Sequence, residues 1–215
     1  MERVVKDFGF KALNLTSHIN GKPLDNLEFE PFWAKAEEMD VVVYIHPTGP
    51  VGNSDRSYEA QYDLTHNFGW PFETALALSR LVFSGIIDRY PDLKIVSHHL
   101  GGGLIPFFWG RISETYDLSH QPRLLGKEFT RPIQDYFSRF YYDTAIGGFA
   151  PAIRCAYEAL SADRLVFATD FPHGPGTGEK RLETYPGVLR SLNLGESENK
   201  KIFEDNARRI LNLEK

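Results

Sequence analysis

The sequence predicts an α/β fold of the (β/α)8 TIM-barrel type, in which parallel strands alternate with helices. Two observations predict it. Short apolar runs rich in β-branched and aromatic residues alternate along the chain with longer stretches of helical periodicity, which is typical of βαβ units around a parallel sheet. Ionisable residues directly follow four of these runs, and the carboxyl ends of parallel strands are where barrels of this type carry their active sites.

Five segments have the composition of buried strands. Each is a short apolar run bounded by polar or turn-forming residues. In chain order, the predicted strands are Lys11–Thr16, Val41–His46, Lys94–His98, Phe140–Thr144 and Leu165–Thr169. Because a helical stretch separates each strand from the next, we expect the strands to be parallel.

Helical periodicity is clearest over Phe72–Tyr90, which begins after Pro71 and ends before Pro91, as helices bounded by proline commonly do. The other predicted helices are Glu28–Met39, Ile105–Tyr116, Ala150–Leu160, Leu182–Leu192 and Ser197–Leu213. No repeat, low-complexity tract or linker-like change of composition interrupts the chain. The sequence therefore predicts a single domain over residues 1–215.

The composition excludes several classes of protein. With 24 Lys and Arg against 29 Asp and Glu, the net charge is −5, and there is no basic block to bind nucleic acid. The single cysteine, Cys155, excludes a disulfide framework and CxxC-type sites. No apolar run approaches the ~18 residues of a membrane span, and the N-terminus has no signal-peptide pattern. We therefore expect a cytoplasmic protein with a sizeable apolar core.

The residues at the ends of the strands suit metal chemistry. His46 ends the second predicted strand and Asp170 follows the fifth, and imidazole and carboxylate groups are common ligands of zinc and similar divalent ions. His99 precedes the glycines Gly101–Gly103 and suits a general acid/base, because histidine titrates near neutral pH. Adjacent residues of a strand point to opposite faces, so we expect only one of His98 and His99 in the site. For any one of these residues, a capping or turn role is the alternative.

Four further residues are candidates for the pocket or its supports. His18 follows the first strand, where a turn-stabilising role before Asn20-Gly21 is an equal alternative. Asp143 is placed to hydrogen-bond a site histidine, and His173 either lines the pocket or belongs to an ordinary loop. Arg56 has the planar fork that binds a substrate carboxylate, with a solvated loop arginine as the alternative. His66 and His120 are interpreted as structural or exposed.

The segment from Gly69 to Ile112, GWPFETALALSRLVFSGIIDRYPDLKIVSHHLGGGLIPFFWGRI, resembles the amidohydrolase-related family. That family includes the aminocarboxymuconate-semialdehyde and hydroxybenzoate-type decarboxylases. Further matching pieces occur in the same order along the chain: FKALNLTSHINGKPLD, VVVYIHP, YYDTA, FATDFPHG and NARRIL. The resemblance implies a metal-dependent barrel, present here as a partial barrel whose strands match strands four to eight of the family.

The resemblance also implies roles for three residues. His46 resembles the metal-ligand histidine of the fifth strand, His99 the acid/base histidine of the sixth, and Asp170 the metal-ligand aspartate of the eighth. Family members carry a further HxH pair on their first strand, whereas no two histidines in this sequence are separated by one residue. The expectation is therefore an N-terminally truncated chain with two of four protein ligands. A divalent metal, zinc or alternatively manganese, is expected, with its occupancy dependent on the missing pair.

The predicted function is that of a metal-dependent hydrolase or decarboxylase acting on a small carboxylate-bearing substrate. Two alternatives belong to other classes: a catalytically impaired scaffold or interaction module, and a binding protein for a small aromatic acid. A piece of a barrel exposes two sheet edges. We therefore expect a homo-oligomer or a protein completed by another chain, with no nucleic-acid or membrane partner.

Overall fold

The fold of residues 1–49, 62–119 and 129–213 is described by a computed structural model. The strands of these residues are β1 (Ala12–Thr16), β2 (His18–Ile19), β3 (Lys22–Pro23), β4 (Val42–His46), β5 (Lys94–Ser97), β6 (Tyr141–Asp143) and β7 (Leu165–Val166). Five of them form one sheet in the order β1-β4-β5-β6-β7. Every neighbouring pair in that sheet is parallel, which confirms the predicted partial barrel. Strands β2 and β3 form a separate antiparallel hairpin that the sequence pattern did not predict.

The register aligns the carboxyl ends of the strands. Thr16 lies beside His46, Ile45 beside Ser97, and Asp143 beside Val166. We call this side of the sheet the carboxyl edge. Side chains at the ends of β4, β5, β6 and β7 are therefore brought together, although they are far apart in sequence.

Helices connect and cover the strands. The α-helical segments of the described residues are Glu2–Lys6, Glu30–Glu38, Trp70–Phe83, Ile86–Arg89, His99–Gly102, Leu104–Phe107, Trp109–Ser119, Ile133–Phe137, Ala150–Leu160, Glu179–Arg190, Glu196–Lys200 and Asn206–Ile210. The helix predicted over Ala150–Leu160 has these bounds, because Ile153, Ala156 and Leu160 recur at helical spacing and are buried.

Three predicted elements differ from the structure. The helix predicted over Phe72–Tyr90 is broken, because Gly85 has a left-handed φ of 78° and starts a new helix. The helix predicted over Ile105–Tyr116 divides at Phe108, whose backbone is not helical. The predicted strand Leu165–Thr169 ends at Val166, because the next backbone N–H, from Phe167, donates to the carbonyl of Ile202 at 2.9 Å instead of to a neighbouring strand.

The two faces of the sheet have different surroundings. Val43, Ile45 and Ile95 belong to the main apolar cluster, which includes the helix side chains Leu78 and Leu81. The opposite face carries a much smaller cluster of Val42, Val96, Val166 and Ile210. Because side chains alternate along a strand, His46 continues the row of Val42 on this second face. The candidate site therefore lies on the sparsely packed face of the sheet.

Among the described residues, β1 and β7 each pair with a single neighbouring strand and form the two ends of the sheet. No helix of the same residues has both the length and the apolar character needed to cross a membrane.

Candidate metal centre

Three side chains from separate strand ends converge at the carboxyl edge. His46 is the last residue of β4, His99 follows β5, and Asp170 follows β7. One nitrogen of each imidazole and one carboxylate oxygen of Asp170 all lie within 4.8 Å of one another. All three residues are partly buried, so a small ligand reaches them while the protein excludes much of the solvent.

The hydrogen bonds of the two imidazoles define their tautomers. Nδ1 of His46 lies 2.8 Å from the carbonyl oxygen of Pro47, and Nδ1 of His99 lies 2.7 Å from that of Ala145. A carbonyl oxygen only accepts hydrogen bonds, so both Nδ1 atoms carry a proton and donate. In the neutral rings, both Nε2 atoms therefore present a lone pair.

These two Nε2 atoms lie 3.3 Å apart. Two lone pairs at that distance repel unless they share a cation or a proton. Burial lowers the pKa of His46, and the neighbouring His98 and His99 lower it further, so a shared proton is disfavoured. A tetrahedral ion at about 2.0–2.1 Å from each nitrogen separates two ligands by about 3.3 Å. The geometry and the donor chemistry of these residues thus fit a divalent metal ion.

An unusual backbone turn places His99. Both His99 and Leu100 have left-handed φ values, 56° and 53°, and Gly101 to Gly103 continue in that region. A Cβ atom at Gly102 would lie 2.1 Å from the carbonyl oxygen of Pro71, so only glycine permits this close approach. A left-handed non-glycine residue costs about 1–3 kcal/mol, and such strain clusters at functional sites. The turn thereby directs the His99 ring toward His46.

The expectation that only one of His98 and His99 lies in the site stays a prediction; His99 belongs to the cluster with His46 and Asp170, and the His98 ring lies beside that cluster. The centroid of the His46 ring is 5.1 Å from that of His98 and 5.2 Å from that of His99. Strand alternation places His98 on the face of Val96 and His99 on the opposite face, but the chain turns left-handed at His99 and brings its ring back toward His46. His98 is thus a third imidazole in this region, and it continues the row of Val96 on the face that carries His46.

Asp143 organises the two neighbouring histidines. Its carboxylate is buried and accepts from Nδ1–H of His98 at 2.7 Å, from the backbone N–H of His99 at 2.8 Å and from that of Ala145 at 3.0 Å. Burial acts to raise the pKa of this carboxyl, but the hydrogen bond and charge of His98, with further help from His99 and Ala145, lower it overall. Asp143 therefore carries a negative charge beneath the site and supports the strained turn.

Asp170 has a partner that the sequence pattern did not predict. Its Oδ2 accepts a hydrogen bond from Nη1 of Arg181 at 2.7 Å. Arg181 belongs to the helix Glu179–Arg190, and it follows Asp170 after a stretch rich in glycine and proline. That stretch predicts a loop, but its spacing does not indicate which side chain folds back, so no signal in the sequence could have identified the pair.

The remaining candidates among the described residues lie outside this cluster. His18 accepts at Nδ1 from the backbone N–H of Gly21 at 3.1 Å, in the β2–β3 turn, and its Nε2 contacts the carbonyl oxygen of Gly49, after β4, at 2.7 Å, so both ring nitrogens are used. His173 is exposed in the loop after Asp170. His66 is exposed and contacts Asp63. Arg56 and His120 lie outside the described residues.

A His/Asp cluster at the carboxyl edge of parallel strands is typical of metal-dependent barrel enzymes. A family model described as amidohydrolase matches residues 1–213. The chain belongs to the amidohydrolase family, as the sequence motifs predict.

Several of the proteins that this chain resembles are decarboxylases. The chain is 29% identical to gamma-resorcylate decarboxylase of Polaromonas sp. (strain JS666 / ATCC BAA-500), over 99% of this chain and 65% of that protein. The structure of 5-carboxyvanillate decarboxylase from Sphingomonas paucimobilis matches with a TM-score of 0.85 and 27% identity, over 99% of this chain and 62% of that one. A 5-carboxyvanillate decarboxylase from Novosphingobium aromaticivorans, solved with manganese and 4-hydroxy-3-methoxy-5-nitrobenzoic acid, matches with a TM-score of 0.83 and 26% identity, over 98% and 59%. The chain thus spans somewhat less than two thirds of these proteins.

Proposed function

We propose that this protein is a metal-dependent carboxy-lyase that removes CO2 from a small, carboxylate-bearing aromatic substrate. The observation that carries the proposal is the convergence of His46, His99 and Asp170, whose nitrogen and carboxylate oxygen atoms lie within 4.8 Å of one another. His46 and Asp170 are the proposed ligands, and His99 is the proposed acid/base group. The decarboxylases among the relatives support decarboxylation over hydrolysis.

The chemistry of decarboxylation assigns distinct tasks to these residues. When bound, a divalent ion supplies positive charge that orients and neutralises an anionic group of the substrate. The carbon–carbon bond to the carboxylate breaks with its electron pair left on the ring carbon, and that carbon must receive a proton. A protonated His99 Nε2 would deliver this proton while Nδ1–H stays on the carbonyl oxygen of Ala145.

The identity of the metal is part of the proposal. A relative solved with manganese supports that ion, whereas one imidazole and one carboxylate, those of His46 and Asp170, also suit zinc. A third or fourth ligand from a neighbouring copy or another chain would complete the site, consistent with the sheet ends at β1 and β7. We further propose that the protein acts in the cytoplasm.

The test measures metal content and turnover together. Purified protein, stripped with a chelator and reloaded with Mn²⁺ or Zn²⁺, is analysed for metal per chain and for mass in solution. It is then incubated with γ-resorcylate and with 5-carboxyvanillate, and CO2 release is measured. We expect bound metal and release of CO2 from at least one of the two acids. In the variants His46→Ala and Asp170→Ala, both the bound metal and the release of CO2 should be lost.

His66→Ala is the matched control, because His66 is an exposed histidine bonded to Asp63. It should retain metal and turnover. If His46→Ala and Asp170→Ala keep the wild-type metal content, the ligand assignment is wrong. Metal binding without CO2 release from either acid would instead favour the binding-protein interpretation.

A further inference from the structure

Arg181 forms an ion pair with the candidate ligand Asp170 that differs from the surface ion pairs of this protein. Its Nη1 lies 2.7 Å from Oδ2 of Asp170, and the two side chains are only 20% and 22% exposed. The pair Lys22–Glu28, for comparison, has side chains 48% and 61% exposed. A partly buried arginine–carboxylate bond is stronger and better defined in direction than an exposed one.

The guanidinium of Arg181 is held in place from two other sides. A Cβ atom at Gly174 would lie 2.3 Å from Nε of Arg181, so the loop backbone packs directly against the guanidinium there. The guanidinium carbon of Arg181 also lies 5.9 Å from the ring centroid of Tyr185, a buried residue of the same helix. These contacts restrict the arginine to one orientation, and the arginine restricts Asp170.

The ion pair leaves Asp170 able to bind a metal. A carboxylate accepts bonds at both oxygens, with about four lone-pair sites in total, and Arg181 uses one of them, at Oδ2. Asp170 also sits at a left-handed φ of 67°, which fixes the direction of its Cβ. Partners that hydrogen-bond a metal ligand orient it and tune its affinity for the ion.

We propose that Arg181 is a positioning residue for the metal centre. By holding one oxygen of Asp170, it aims the carboxylate at the space shared with the Nε2 atoms of His46 and His99, and so raises the affinity for the ion. The inference rests on the proposed function only in that Asp170 is taken as a metal ligand. It does not require a particular substrate or reaction.

The experiment titrates metal-free protein with MnCl2 in a calorimeter and compares variants. Arg181→Met removes the charged fork but keeps an unbranched side chain, and we expect Mn²⁺ affinity to fall by about 10–100-fold. Arg181→Lys should recover part of this loss, because lysine keeps the charge but not the planar fork. Arg190→Met is the matched control: Arg190 lies on the same helix and over an aromatic ring, that of Phe203. Its affinity should equal that of the wild type.

Two further measurements separate positioning from a merely structural role. The unfolding midpoint of each metal-free variant is recorded, and we expect Arg181→Met and Arg190→Met to have similar midpoints. In an Asp170→Asn background, Arg181→Met should cause no additional loss of affinity, because the residue through which it acts is already changed.

The outcomes are distinguishable from failure of the proposed function. Wild-type affinity in Arg181→Met, or a higher affinity because the arginine competes with the ion for Asp170, would overturn the inference and leave the carboxy-lyase proposal standing. A loss of affinity equal in Arg181→Met and Arg190→Met would also overturn it. Wild-type protein that binds neither Mn²⁺ nor Zn²⁺ would refute both proposals. Metal affinity as expected without turnover on any acid would refute only the proposed function.

Discussion

The two faces of the parallel sheet satisfy their side chains in different ways. On the helix-facing side, Val43, Ile45 and Ile95 are at most 1% exposed and pack among apolar side chains. On the other face, the apolar row is short, and the carboxyl edge carries His46 and Asp143. His46 donates to the carbonyl oxygen of Pro47, and Asp143 accepts from His98. One face is stabilised by burial and the other by hydrogen bonds.

The two faces therefore have different roles: the helix-facing side stabilises the fold, and the carboxyl edge carries the chemical groups of the site. Close packing on the helix side holds the strand ends in fixed positions, so strained and polar groups persist at the carboxyl edge without disrupting the fold. The left-handed residues His99, Leu100 and Asp170 all lie at that edge. A substitution on the helix side should therefore change the free energy of unfolding, and one at the edge should change metal binding or turnover.

The largest expected effect concerns His99. His99→Ala should lower turnover by about 10²–10⁴-fold, because it removes the proposed proton donor. Bound metal should be retained if His46 and Asp170 are the ligands, as measured by elemental analysis beside a CO2-release assay. Loss of metal together with turnover would show that His99 is itself a ligand, which the 3.3 Å distance to His46 Nε2 permits.

A cavity on the helix side tests the comparison directly. Leu78 is fully buried in the main apolar cluster, and Leu78→Ala should lower the free energy of unfolding by about 2–5 kcal/mol. Denaturant titration measures this change. Mn²⁺ affinity of the folded variant should stay at the wild-type value, and a parallel fall in affinity would mean that the two faces are not independent.

Asp143 is buried at the carboxyl edge, and its substitution should have an intermediate effect on metal affinity. Asp143→Asn keeps the size of the side chain but removes the charge that accepts from His98 and from the backbone N–H groups of His99 and Ala145. We expect Mn²⁺ affinity to fall about tenfold, because the support of the turn is weakened. Calorimetric titration of the folded variant checks this, and unchanged affinity would limit Asp143 to a structural role.

The smallest expected effect is the pH dependence of the metal-free protein. The pKa of His46 is lowered below its ordinary value of 6.5, so the unfolded chain binds a proton that the folded chain rejects. The contribution of His46 to the free energy of unfolding is therefore fully present above pH 6.5, and it is lost as the pH falls through the pKa that His46 has in the folded state. The pKa of Asp143, lowered from 3.8, acts in the same direction at more acidic pH.

Unfolding midpoints between pH 7.5 and 5 measure this slope. His46→Asn should flatten it, because asparagine does not titrate in this range. A slope that is equally steep in the variant would assign the proton uptake to other groups.

Most of the fold follows from local pattern. The strand predicted over Val41–His46 differs from β4 by one residue, and the helix predicted over Ala150–Leu160 has the observed bounds. Both were predictable because burying one face requires apolar residues about every 2 positions in a strand and every 3.6 in a helix. The breaks at Gly85 and Phe108 were not predicted, since the apolar period continues across both while the backbone does not.

The candidate site was also predicted only in part from the sequence. The sequence by itself determined that His46, His99 and Asp170 lie at one sheet edge, because parallel strands have their carboxyl ends on the same side of the sheet. Only the tertiary structure decided that the His99 ring lies beside both His98 and His46, since a left-handed turn cancels strand alternation at His99. It also decided that Arg181 holds Asp170. Contacts between residues brought together by loops depend on the path of the backbone in three dimensions, which a one-dimensional period does not encode.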